Sequence, residues 1–269
     1  MRKLLTYHIH DVVPYINWSY FYFAWGLSQT KLEERNKLRE EADEMLDSFD
    51  GQYHTYALFA LFDANSDGDD IIFGTTRIPF LRQQHVLNEG DPYLCLSDFV
   101  RPLSSGVIDK AGAFATTVDI AMEKDGSDDH YKKMMMQTLA DRLAEATAEK
   151  MHEEVRKIYW GYAPDERLTM EELWVEKFQG IRPAVGYPSL PDQSVNFLLN
   201  EMLQMKDIGI RLTENGAMKP HASVSGLMIS HPAARYFSIG KIGEDQLTDY
   251  SRRRGVPTEL MRKFLMANL

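Results

Sequence analysis

Gln179-Gly180-Ile181-Arg182-Pro183-Ala184-Val185-Gly186-Tyr187-Pro188 is the stretch around which the rest of the chain is arranged. Pro183 and Pro188 each fix φ near about −65° and remove a backbone donor, so neither a regular helix nor a central strand runs through here. Arg182 and Tyr187 each precede a proline and are pushed toward extended geometry. Gly180 and Gly186 permit turns or a close backbone approach to a ligand. The segment reads as a stiff, extended loop carrying one guanidinium and one phenol. Arg182 suits two partners: a ligand carboxylate gripped bidentately, or a nearby acid of the protein itself.

The length of 269 residues suits one large domain or two small ones. No repeat, low-complexity tract or linker divides it, so residues 1–269 are read as a single domain. A formal net charge of −10 argues against a general nucleic-acid binder, which needs clustered Lys and Arg. The only cysteine, Cys95, excludes an intramolecular disulfide and a multi-thiolate metal site and fits a reducing compartment. The opening Met1-Arg2-Lys3-Leu4-Leu5 meets Tyr7, His8, His10 and Asp11 before an apolar signal region develops. No stretch approaches the length of a transmembrane helix. The expectation is a cytoplasmic protein without a membrane or nucleic-acid partner.

Moving outward from the loop, helices and strands mix irregularly. A helix is expected over 31–49, and a long one from Asp128 or Asp129 to about 158 with the stripe Met135, Leu139, Leu143, Ala146, Met151, Val155 and Ile158. Glu145, Glu149, His152 and Arg156 fall on another face of that helix, which reads as solvated unless Glu145 looks into a cleft. Thr169 caps a short helix, Asp192 starts another with Gly209 as its stop, Glu244–Arg254 is closed by Gly255, and 258–267 is terminal. Strands are expected at 56–62, 71–73, 112–118, 210–213, 222–229 and 235–242, the last two joined by Ser230-His231-Pro232. The aromatic run 11–27 reads as core or as a ligand wall. Asp63 to Asp70 opens like a calcium loop, but Gly74 stands at the twelfth position, so a polar hairpin turn is the better reading. Short strands mixed irregularly with helices give an α+β fold with an antiparallel sheet. No nucleophile triad, phosphate loop, dinucleotide fingerprint or metal-spaced histidine cluster appears; His8 and His10 come nearest to a metal pair.

Several segments together carry a family resemblance. They are Ala140-Asp141-Arg142-Leu143-Ala144-Glu145-Ala146, His152-Glu153-Glu154-Val155-Arg156-Lys157, Tyr159-Trp160-Gly161-Tyr162-Ala163-Pro164, the Gln179–Pro188 loop, Leu212-Thr213-Glu214, and Ala222-Ser223-Val224-Ser225-Gly226 with Ser230-His231-Pro232. In this order they resemble the activation domain of cobalamin-dependent methionine synthase. The likeness reaches upstream through Gly112-Ala113-Phe114-Ala115 and Leu81-Arg82-Gln83-Gln84 to Asp69-Asp70-Ile71, and downstream to Asp245-Gln246 and Asp249-Tyr250, nearly the whole chain. It implies a single C-shaped α+β domain around a twisted antiparallel sheet flanked by helices. It also implies S-adenosylmethionine (AdoMet) as the bound cofactor. The partners implied are a methionine synthase core that holds the cobalamin and a flavodoxin-like electron donor. The activity implied is reductive remethylation of oxidised cobalamin, performed here by a stand-alone chain in trans. No residue is expected to serve as a catalytic nucleophile or base, and no metal is expected on this chain.

The resemblance also assigns site residues. Arg182 matches the arginine that contacts AdoMet, and a guanidinium suits the ligand's carboxylate. Ala184 and Gly186 match positions whose backbone borders the ligand, and Tyr187 a tyrosine at its reactive end. Glu145 matches an acid whose charge complements the ammonium or the sulfonium. Tyr236 and Phe237 match the aromatic pair after Ser-His-Pro. Asn17, in Tyr15-Ile16-Asn17-Trp18, stands where the family carries an aspartate that contacts AdoMet. It accepts a hydrogen bond but brings no charge. Val185 replaces a usual proline, and Gln193 a common histidine. Asn17 therefore leaves a second expectation open: a docking or regulatory protein for a corrinoid protein, with AdoMet binding weakened or lost.

Overall fold

The computed structural model describes residues 1–86, 88–124 and 129–269. The element order is β1 (Arg2–His8), α1 (Ile9–Val12), α2 (Trp18–Ala24), α3 (Leu32–Phe49), β2 (His54–Asp67), β3 (Asp70–Phe73), β4 (Thr76–Pro79), β5 (Asp109–Val118), α4 (Ala121–Lys124), α5 (His130–Glu154), α6 (Met170–Trp174), α7 (Val195–Leu203), β6 (Arg211–Leu212), β7 (Met218–Lys219), β8 (Ser223–Met228), α8 (Glu244–Arg254) and α9 (Thr258–Phe264).

β2 is the axis of the main sheet. One of its edges pairs with β5 from Thr55↔Val118 to Ala64↔Asp109. The other is shared: β1 takes His54 to Ala60, and β3 takes Ala64 to Asp67. β4 extends the β3 side and β8 the β5 side, all antiparallel, giving the order β4-β3-β2-β5-β8. The fold is α+β, as expected, with helices over both faces of a curled sheet. Side chains alternate across a strand. Phe59, Phe114 and Val224 enter the core shared with α1, α2, α3 and α5, while Leu58, Ala113 and Leu227 enter the one shared with α7. A slip of one residue would exchange the two sets, so both cores fix the same register.

α5 starts where Asp129 accepts hydrogen bonds from Tyr131 N and Lys132 N; Asp128 lies outside the described residues. Its expected stripe is buried except for Ile158, which is 69% exposed. Val155–Tyr159 form a π turn, with Trp160 N on Val155 O at 2.9 Å. The wider turn breaks the helical register and carries Ile158 to solvent. The acidic stretch after residue 62 is mostly strand: β2 runs to Asp67, and the hairpin turns at Gly68, φ 60°.

Other expectations need correction. Residues 235–242 form no ladder; Ile239 N donates to Pro188 O at 2.9 Å, and Ile239 and Ile242 pack against α8 and α9. α7 begins at Val195 because Asp192 is an anchor, accepting from Ser194 N (2.8 Å) and Tyr250 Oη (2.8 Å). It ends at Gln204, φ 58°, and a 3-10 turn covers the stretch to Gly209. α9 stops at Phe264. The aromatic run divides: Phe21 is core, whereas Tyr20 and Phe23 are exposed.

Candidate functional site

The Gln179–Pro188 loop lies on the outer edge of β8. Ile181 and Ile229 exchange backbone bonds of 2.8 and 3.0 Å, Leu227 N donates to Pro183 O at 3.0 Å, and Val185 N donates to Ser225 O at 2.8 Å. This is antiparallel register in which Pro183 has no N–H to return a bond to Leu227. An edge is where a sheet tolerates that. Two glycines permit the approach. A Cβ on Gly226 would sit 2.1 Å from Pro183 O, and one on Gly180 (φ 84°) would sit 2.4 Å from Ile229 O. Gly186, φ 89°, makes the turn that sends its N–H to Leu190 O at 2.8 Å.

Between this loop, α5 and the segment before α2 lies a cleft of about 650 Å³. Asn17, Glu145, Arg182, Ala184, Tyr187, Tyr236 and Phe237 all line it; Gly186 shapes the loop without forming the wall. Tyr15 and Tyr20 come from the aromatic run, which is therefore partly a wall. Asn17 Oδ1 accepts from Ser19 N at 3.1 Å and caps α2.

The polar face of α5 is not solvated as the sequence suggested. Glu145 accepts from Tyr187 Oη at 2.6 Å, and burial plus the carboxylate push that phenol's pKa up. One turn on, Glu149 pairs with Arg182, whose side chain is only 7% exposed. Arg182 N donates to Tyr236 Oη at 2.8 Å, and burial pushes that phenol up to about 12. Among the described residues, Arg182 Nε and Glu149 Oε2 have no hydrogen-bond partner. An unpaired donor and an unpaired acceptor on two paired side chains of the cleft wall suit a ligand with a carboxylate and an ammonium.

The next rungs are fully buried. Arg156 grips Glu166 with Nε–Oε2 at 2.9 Å and Nη2–Oε1 at 2.5 Å. Its Nη1 lies 2.9 Å from His152 Nδ1. A guanidinium only donates, so Nδ1 accepts and the imidazole proton sits on Nε2. Burial, then Arg156 and Arg182, holds the His152 pKa well below its ordinary value. The unfolded chain takes up this proton below about pH 6.5 while the folded chain does not, so stability is lost as pH falls through that range. The expected slope reaches about 1.4 kcal/mol per pH unit. Urea unfolding of His152→Gln between pH 7 and pH 5 should lack this component.

Sequence reasoning missed Glu176, Arg142 and Trp174, which also line the cleft. Glu176 holds φ 58°, and burial with the nearby Glu149 charge raises its pKa. No spacing marks it, because its neighbours come from α5 and the loop. Three carboxylates (Glu145, Glu149, Glu176) against two guanidiniums (Arg142, Arg182) leave the cleft one negative charge. A second groove, about 700 Å³ by Met1 and Trp160, offers Asp63 and Lys110, which face each other at 3.9 Å. No comparable set of charges converges there. Among the described residues no group of His, Cys, Asp or Glu is placed to hold a metal, and no helix is long and apolar enough to cross a membrane.

Residues 8–255 match the family described as vitamin B12 dependent methionine synthase, activation domain. A crystal structure of a MetH reactivation domain bound to AdoHcy superposes with a TM-score of 0.94 at 38% identity, covering 100% of this chain and 90% of that one.

Proposed function

The chain belongs to the vitamin B12 dependent methionine synthase activation domain family, and on that premise we propose that its cleft binds AdoMet and presents it to cobalamin held by a methionine synthase core. The observation that carries this reading is the Arg182–Glu149 pair in the cleft wall, a buried guanidinium on a partly exposed carboxylate, each member with one polar atom that has no hydrogen-bond partner. Arg182 takes the ligand's carboxylate and the partly exposed Glu149 its ammonium. AdoMet carries one net positive charge, the complement of the cleft. Glu145 and Glu176 offset the sulfonium, and the faces of Tyr236 and Phe237 suit the same cation and a flat adenine. Tyr187, tied to Glu145, borders the transferable methyl.

AdoMet supplies the methyl group, and an electron donor of the flavodoxin class supplies the reducing equivalent. This chain's part is positioning: it holds and orients the ligand and needs no nucleophile or general base of its own. We propose that it acts in trans on a core carrying the cobalamin on a separate chain. The test adds purified chain, AdoMet and a reductant to an oxidised methionine synthase core lacking this domain. Recovery of turnover that needs all three supports the reading. Recovery without the chain overturns it.

A second reading, docking without AdoMet, rests on Asn17. Its Oδ1 is already used to cap α2, and it offers the ligand no charge. An aspartate caps equally well and adds a charge-assisted bond, so Asn17→Asp is expected to tighten AdoMet binding about tenfold. Unchanged affinity by calorimetry would show that position 17 does not read the ligand.

A further inference from the structure

We propose that Tyr162, together with the buried His152 and Arg156, forms a positioning chain that fixes the turn before Arg182 and so aims its guanidinium into the cleft. This rests on the AdoMet reading of the cleft. None of the three residues lines the cleft. They meet the segment that leads into it. Tyr162 Oη donates to Gln179 O at 3.3 Å and lies 3.5 Å from His152 Nε2. The His152 ring stands edge-on to Phe178 at 5.1 Å, and the Arg156 guanidinium covers the same ring at 4.4 Å. Two successive residues, Phe178 and Gln179, are thereby gripped immediately before Gly180, whose φ of 84° turns the chain toward Arg182.

α5 supplies the geometry. It grips the loop entrance through His152, with Arg156 of the π turn that follows, Arg182 through Glu149, and the loop exit through Glu145 and Tyr187. Glu166 clamps Arg156 bidentately from the far side, so the chain is anchored at its own base. Each polar atom has a defined partner, and the run of bonds ends on a loop carbonyl rather than in the apolar core. A turn fixed at one end by Tyr162 and at the other by the β8 edge leaves Arg182 little freedom, and pre-set direction is what a bidentate grip on a carboxylate requires.

The test uses the full chain with Tyr162→Phe, His152→Ala and His152→Gln. Two readouts are taken: calorimetric AdoMet affinity, and amide hydrogen exchange at Ile181, Arg182 and Val185 without ligand. Tyr162→Phe removes one oxygen and is expected to raise the AdoMet dissociation constant about three- to tenfold. The loop amides should exchange faster by a similar factor, while those of Leu58 and Ala60 in β2 stay as they are. His152→Ala is expected to weaken binding tenfold or more, and His152→Gln, which keeps a donor toward Tyr162, to recover part of it. Unchanged loop exchange in Tyr162→Phe, or equal acceleration in β2 and the loop, overturns the positioning role. If the unmodified chain binds no AdoMet, the cleft reading fails by itself, and the loop exchange still decides whether the chain of residues holds the turn.

Discussion

Arg182→Ala is expected to weaken AdoMet binding at least a hundredfold. The guanidinium is 7% exposed and stands in the cleft wall with Nε open. Two charge-assisted hydrogen bonds of about 1.5–3 kcal/mol each are at stake, and about 2.7 kcal/mol already corresponds to a hundredfold. The substitution acts a second time through Glu149. With its partner gone, that carboxylate faces the cleft uncompensated and repels the carboxylate of the incoming ligand. The fold itself loses less, about 1–3 kcal/mol for one unpaired group, because Glu149 is 25% exposed and retains access to water. Arg182→Lys keeps the charge but not the fork, and the expected loss is still about tenfold. Calorimetry on both variants, with circular dichroism to confirm folding, checks the order Arg, Lys, Ala. Equal affinity for all three would remove Arg182 from the site.

Gly226→Ala carries the largest expected effect on stability. Its added Cβ would meet Pro183 O at 2.1 Å and Ala184 Cα at 2.8 Å, both backbone atoms with no rotamer to escape into. Either β8 or the loop has to move. Overpacking usually costs about 1–3 kcal/mol, and a clash with two successive backbone atoms of the loop belongs at or above the top of that range. For a chain of this length about 3 kcal/mol lowers Tm by about 6–10 °C. Gly186→Ala is the control: nothing lies within 4 Å of its added Cβ, so only the strain at φ 89° remains, about 1–2 kcal/mol. A thermal melt of the two variants separates close approach from backbone strain, and the account requires Gly226→Ala to melt lower.

How much of this was legible follows from which interactions are local. α3 and α8 could be read because their apolar spacing and their stops lie within the segment itself. The loop could be read because two prolines dictate its geometry. β1 carries no local strand signal: it pairs with residues more than forty positions away, and only that pairing defines it. Residues 235–242 look like a strand because apolar residues recur there, yet their neighbours are α8, α9 and Pro188 rather than a sheet edge. The polar face of α5 misled for the same reason. Its charges are periodic, but what buries them, Glu166, Phe178 and Arg182, arrives later in the chain. The site residues were supplied by family resemblance rather than by spacing; seven of the eight line one cleft. Glu176 escaped both routes and is found by its left-handed backbone and raised pKa inside that cleft.

The measurement that bears most directly on the central claim is calorimetric titration of AdoMet into the unmodified chain. The account expects one site of micromolar to sub-millimolar affinity that is lost in Arg182→Ala. A chain that is folded and stable yet takes up no AdoMet would contradict it, and the docking reading motivated by Asn17 would take its place.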